Sequence, residues 1–116
     1  MDRREPMEEV TMEPKQKAAL DDFINDLDIL NALADKHRQQ IIILLGSRLK
    51  QGMTVGDITI QLDISQPAVS HHLKILRSVN IVDSTRNGLE NTYHLTLDDT
   101  LERLERIVKL IRESNA

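Results

Sequence analysis

From Lys15 onward, Leu20, Phe23, Ile24, Leu27, Leu30 and Leu33 recur at helical spacing while Asp21, Asp22, Asp26 and Asp28 fall on other faces, which predicts an amphipathic first helix. Asp35 is placed to cap a second helix. The apolar run Ile41 to Leu45, flanked by His37-Arg38-Gln39-Gln40, suits a buried helix better than a strand, so a core helix is expected over 35–49. Gln51-Gly52 ends it. Thr54-Val55-Gly56-Asp57 then has the form of a capping box with Asp57 in place of the usual Glu or Gln, predicting a short helix over 55–62. After a turn at Asp63-Ile64, Ser65 is a good N-cap and Pro67 sits in the first turn, where a missing N–H costs nothing. The helix they open is expected over 66–78. Val69, Leu73 and Leu76 face inward, which turns Gln66, Ser70, His71, Lys74 and Arg77 toward solvent. Two short helices joined by a tight turn describe a helix-turn-helix.

The period then changes. Residues 81–86 and 90–95 alternate like strands around Asn87-Gly88, a dipeptide that favours a type I′ hairpin turn, so a β-wing carrying Arg86 near its tip is expected. From Asp98 the pattern is helical again, with Leu97, Leu101, Leu104, Val108 and Ile111 at alternating steps of four and three, a seam that needs a partner surface. Ile107 and Leu110 widen it. The predicted fold is mainly α with a small β-hairpin: a winged helix-turn-helix of four helices, the wing and a last helix. Residues 15–116 form the domain, and the acid-rich, two-proline segment 1–14 is expected to be a flexible tail.

Composition narrows the chemistry. Phe23 and Tyr93 are the only aromatic residues among 116, so the core must be aliphatic, and so small a core often gains stability from a second subunit. The absence of cysteine removes disulfides, thiolate metal sites and thiol redox sensing, and suggests a cytoplasmic location. No apolar run approaches membrane-spanning length, so no membrane partner is expected. The net charge of −4 is unevenly spread. Residues 1–35 sum to −6 and 95–116 to −1, whereas 36–94 hold seven bases against four acids, giving +3. A basic middle is what phosphate contact requires, since counterion release depends on the bases at the interface. No carboxylate pair, nucleophile with base or phosphate loop appears on one face, so an enzyme is not expected.

These features together resemble the ArsR/SmtB family of bacterial winged-helix repressors. The resemblance rests on Leu33-Ala34-Asp35, on Ile64-Ser65-Gln66-Pro67-Ala68-Val69-Ser70-His71-His72-Leu73 and on the wing. The stretch from Ser65 through Leu76 looks closest to the zinc- and cobalt-sensing branch. The resemblance implies a homodimer formed through the first and last helices, here Leu20, Phe23, Leu27, Leu97, Leu101, Leu104, Val108 and Ile111. It also implies recognition helices seated in successive major grooves of a partly palindromic operator. Carried over by position, the DNA-contacting set is Ser65, Gln66, Pro67, Ser70 and His71, with Lys74, Arg77 and Arg86 supplying charge. The residue types suit DNA contact, since glutamine pairs with adenine, serine meets base or phosphate, and histidine donates to phosphate or guanine. His72 reads as a packing residue, and His37 and His94 as surface.

The family's sensor is where the sequence departs. Asp99 is retained at one ligand position, but Leu101, Arg112 and Asn115 stand at the other three, and Val55-Gly56-Asp57 replace the thiolate segment. No metal or other cofactor is therefore expected at the usual sites, although His94, Asp98 and Asp99 leave a new one conceivable. The expected function is sequence-specific regulation of transcription by a homodimer, with repression favoured, activation still open and the inducer unspecified. A winged-helix module that binds another protein is the alternative, and the exposed polar set Gln66, Ser70, His71 and Arg86 argues against it.

Overall fold

In the computed structural model, which describes residues 12–114, nine elements follow one another. They are α1 (Pro14–Asn25), α2 (Leu27–Leu33), α3 (Lys36–Gly46), β1 (Met53–Thr54), α4 (Val55–Leu62), α5 (Gln66–Ser78), β2 (Val82–Asn87), β3 (Glu90–Leu95) and α6 (Leu97–Ser114). The winged helix-turn-helix order is as the sequence predicts. Most of the expected acidic tail lies outside the described residues. Among the described residues no helix is long and apolar enough to cross a membrane.

The expected single first helix is two. Its chain breaks at Asp26, whose backbone leaves helical geometry (φ −97°, ψ 6°) and whose buried carboxylate accepts a hydrogen bond from Arg103 of α6. The break lets one amphipathic stretch serve two surfaces. α1 lies along α6 and buries Ala19, while α2 turns Ile29 and Ala32 into the main core. That core is aliphatic, as composition requires: Ile29, Ile41, Leu45, Met53, Ile58, Val69, Leu73, Leu76, Ile81 and Val82 are its large, fully buried side chains.

Local capping fixes three helix starts. Asp35 Oδ1 accepts from the Arg38 backbone N–H at 3.0 Å, and Thr54 and Asp57 complete the expected box at 3.1 and 3.2 Å. Ser65 Oγ accepts from the Ala68 N–H at 3.2 Å. Asp63, in the left-handed region at φ 53°, makes the turn between α4 and α5, a conformation that aspartate tolerates better than most residues.

The wing differs from expectation in two ways. It is the larger part of a three-stranded antiparallel sheet in the order β1-β3-β2, because Met53 pairs with Tyr93 and Thr54 with Thr92. Its turn also sits one residue later. Pairing runs from Val82↔Leu95 to Asn87↔Glu90, so Gly88-Leu89, not Asn87-Gly88, forms the loop. Only Gly88 has positive φ there (62°), the sign pattern of type II′ rather than type I′. The reason is register: buried Val82 and partly buried Leu95 fix the base of the ladder, and Asn87 is drawn into its last rung.

α3 and α5 are joined through Arg38. Its buried guanidinium donates from Nε to the Ala32 carbonyl at 2.7 Å, from Nη2 to the Asn31 carbonyl at 3.2 Å and from Nη1 to Nδ1 of His72 at 3.3 Å. Arginine only donates, so Nδ1 of His72 is the acceptor and its proton is on Nε2. Burial, ahead of the neighbouring charges, holds the His72 pKa below the ordinary 6.5, with Asp35 Oδ1 at 4.0 Å opposing that shift. Asp35 is itself held below the usual carboxylate value, first by the Arg38 backbone hydrogen bond.

This packing makes two changes informative. Gly52 has φ 67°, and a Cβ there would stand 2.5 Å from the Tyr93 carbonyl oxygen, whereas Gly88 at φ 62° has open space around it. Gly88→Ala should therefore cost only the backbone strain of about 1–2 kcal/mol, and Gly52→Ala clearly more because β1 must move off β3. Urea unfolding of both variants decides this, and equal losses would contradict the close approach. Second, with its folded pKa depressed, His72 contributes stability that is present above pH 6.5 and is lost as pH falls through its lower folded pKa. The urea midpoint should drop from about pH 7.5 to about pH 5.5 by more in the parent chain than in a His72→Gln variant.

Candidate nucleic-acid interface

The helix α5 divides its residues cleanly. Val69, Leu73 and Leu76 anchor it, and Gln66, Pro67, Ser70, His71, Lys74 and Arg77 are exposed, as is the cap Ser65. The wing reaches the same end of this helix. Gln66 shares a groove of about 320 Å³ with Thr54, Val55 and Gly56 at the start of α4 and with Leu89, Glu90 and Asn91 at the wing tip. Arg86 is exposed, and its Nε donates to the Gly88 carbonyl at 3.0 Å, which holds the guanidinium over the wing turn. The start of α5 and the wing tip thus line one concavity.

Electrostatics refines the basic middle of the sequence. Arg38 is buried and its guanidinium is taken up by carbonyls and a histidine inside the chain, so it is not presented for contact. Arg77 lies 3.6 Å from Asp83 of β2, an exposed pair of small energetic weight that still partly offsets its charge. Lys74 and Arg86 are the remaining expected cations on the helix and wing, with Glu90 as an opposing charge at the tip. The histidines near α5 have separate environments. His71 is exposed, with its ring centroid 6.0 Å from that of His72; His72 is partly buried against Arg38; and His37, expected at the surface, is partly buried with its ring centroid 5.6 Å from that of His72.

A second surface is apolar. Leu20, Phe23 and Leu27 are about two-fifths exposed, and Leu101 and Val108 are half exposed. Leu104 and Ile111, partly buried, connect them. Phe23, Leu30, Leu104, Ile107, Val108 and Ile111 line a hollow of about 180 Å³ where the α1–α2 break meets α6, and Leu101, Leu104 and Val108 line a longer one of about 480 Å³ along α6. Leu97 is placed differently from the rest of its seam and packs against the chain's own core. Ile24 and Leu30 extend the apolar face beyond the residues the seam alone picks out. They are visible in the same periodicity, but only the break at Asp26 shows which side of it faces outward.

Of the positions matching the family's metal ligands, Leu101 and Arg112 are exposed with side chains that cannot ligate, and Asn115 lies outside the described residues. His94 is close under Gly52 and 3.5 Å from Thr85 Oγ1. Among the described residues, three side chains able to hold one metal ion come together at Asp35, His37 and His72, and not at His94, Asp98 and Asp99.

Comparison with known proteins agrees with this architecture. The family described as bacterial regulatory protein, arsR family, matches residues 35–84, from the cap of α3 into β2. An uncharacterized HTH-type transcriptional regulator of Methanocaldococcus jannaschii is 35% identical over 102 residues, covering 88% of this chain and 99% of the relative. The transcriptional repressor SmtB homolog of Synechocystis is 31% identical over 102 residues, covering 88% and 74%. The solved structure of reduced HlyU from Vibrio cholerae, a protein named as a transcriptional activator, aligns with a TM-score of 0.62 at 27% identity, covering 83% of this chain and 95% of that one. These relatives are named as regulators and not as enzymes. Helix order, the α4–α5 turn, the wing and these likenesses together establish that the chain belongs to the ArsR family and is a winged helix-turn-helix transcriptional regulator.

Proposed function

We propose that the chain is a homodimer that represses transcription by occupying a partly palindromic operator, with α5 reading the major groove and the wing contacting the adjacent backbone or minor groove. The observation that carries this is the single exposed row of Gln66, Ser70, His71 and Lys74 on α5, with Leu89, Glu90 and Asn91 of the wing tip beside Gln66 and Arg86 exposed over the wing turn. Ser65, Pro67 and Arg77 complete the contact set. A helix that presents amide, hydroxyl, imidazole and ammonium groups along one exposed side has the chemistry for base edges and phosphates. Isologous pairing of the α1–α2 and α6 apolar faces covers Leu20, Phe23, Leu27, Leu101, Leu104, Val108 and Ile111, and two-fold symmetry in the protein asks for inverted repeats in the DNA. Repression follows the SmtB homolog's name; because HlyU is named an activator, family membership alone does not set the sign. Signal release does not pass through the usual metal positions, since Leu101 and Arg112 supply no donor suited to zinc.

Selection of bound fragments from the host genome supplies the operator for the tests. Gln66→Ala or His71→Ala should weaken operator binding by on the order of 1–3 kcal/mol and leave nonspecific binding nearly unchanged. Arg86→Ala should weaken all DNA alike and lower the salt slope by about one. A uniform loss for Gln66→Ala would remove it from base reading, and failure to enrich any fragment would favour a protein-binding module instead. Leu104→Glu or Val108→Glu should give a folded monomer by sedimentation that no longer binds the full operator. A monomer that binds as tightly as the parent would sink the dimer.

A further inference from the structure

The geometry points to a divalent-cation site at Asp35, His37 and His72, where an ion of the zinc, cobalt(II) or nickel(II) type would join the start of α3 to the recognition helix α5. The three side chains each bring a ligand atom to within 4.8 Å of the other two, and all three are partly buried, so the cluster is held in place yet open to solvent. Metal bonds of about 2.0–2.2 Å place tetrahedral ligands about 3.3 Å apart, so closure needs movements of at most about 1.5 Å, within the reach of side-chain rotation. Two imidazoles with one carboxylate suit these borderline ions and are a poor set for magnesium or calcium, which take oxygen ligands. Solvent completes the coordination.

Arg38 is the opposing group. Its contacts to the Ala32 and Asn31 carbonyls, at 2.7 and 3.2 Å, are independent of His72, and the one to be surrendered, to His72 Nδ1, is the longest at 3.3 Å. Asp35, still capping α3 through one oxygen, offsets the guanidinium charge. The site uses none of the family's ligand positions on α4 or α6. Its role in operator release would rest on the DNA-binding reading above, but its existence does not.

The test is a cobalt(II) titration of the purified, tag-free, chelator-treated chain without DNA, followed by visible absorption and by imidazole NMR signals. One ion should bind per chain, with ligand-field bands in the visible range and with His37 and His72 signals perturbed ahead of those of His71 and His94. His37→Gln, which leaves the Arg38–His72 contact intact, should weaken binding by at least about tenfold with an unchanged circular dichroism spectrum, and His94→Gln should not. No binding, or binding unaffected by His37→Gln, or binding abolished by His94→Gln, would each overturn the assignment. Operator binding with and without zinc then reports on coupling to DNA separately, so failure of that reading leaves the metal result standing.

Discussion

The buried Arg38 guanidinium spans from the carbonyls of Asn31 and Ala32, at the end of α2, to His72 on α5, and its own backbone N–H is capped by Asp35. A buried arginine without acceptors would be costly, and the two carbonyl contacts meet most of that need while the longer one reaches α5. The buried row Val69, Leu73 and Leu76 turns the polar side of α5 outward, and these contacts join α2, α3 and α5. The helix ends they satisfy are also the places where the backbone would otherwise leave carbonyls unpaired.

A second constraint operates at the other end of the molecule. Asp26 is buried at the α1–α2 break and accepts a hydrogen bond from Arg103, which also lies 3.9 Å from Asp99. This joins the break to α6 and presents the two apolar stripes as one continuous face. Thr100, buried on the same helix, has its hydroxyl without a hydrogen-bond partner among the described residues. Leu20, Phe23, Leu27, Leu101 and Val108, each about two-fifths to half exposed, form the apolar side of this face. The polar row on α5 and the apolar face on α6 are built on separate anchors, Arg38 and the Asp26–Arg103 pair.

Charge follows the same division of labour. The chain is acidic overall, and the acids of α1 and α2 contribute to that balance. Positive charge is concentrated from α3 to the wing, but not all of it faces outward: Arg38 is held inside and Arg77 is shared with Asp83. On α5 and the wing, Lys74 and Arg86 beside Gln66, Ser70 and His71 form a modest cationic surface with several groups able to hydrogen-bond to bases, while Lys36, Arg48 and Lys50 are exposed on or just after α3.

Whatever is decided within one or two helical turns can be read from the sequence. The caps at Asp35, Thr54 and Ser65, the Asp57 half of the capping box, the inward Val69-Leu73-Leu76 row and its polar complement all depend on contacts three or four residues apart, and each is legible there. Features whose partners are distant in the chain wait for the tertiary structure. At the Asp26 break the carboxylate meets Arg103, 77 residues away; Met53-Thr54 becomes a strand because β3 passes beside it; the wing turn moves to Gly88-Leu89 because buried Val82 sets the register. Arg38, counted in the sequence among the basic residues of the middle segment, and His37, which reads as a surface group, are drawn inward beside a histidine on another helix. Local periodicity fixes which face of an element is apolar, but only packing between elements decides which polar groups that face encloses.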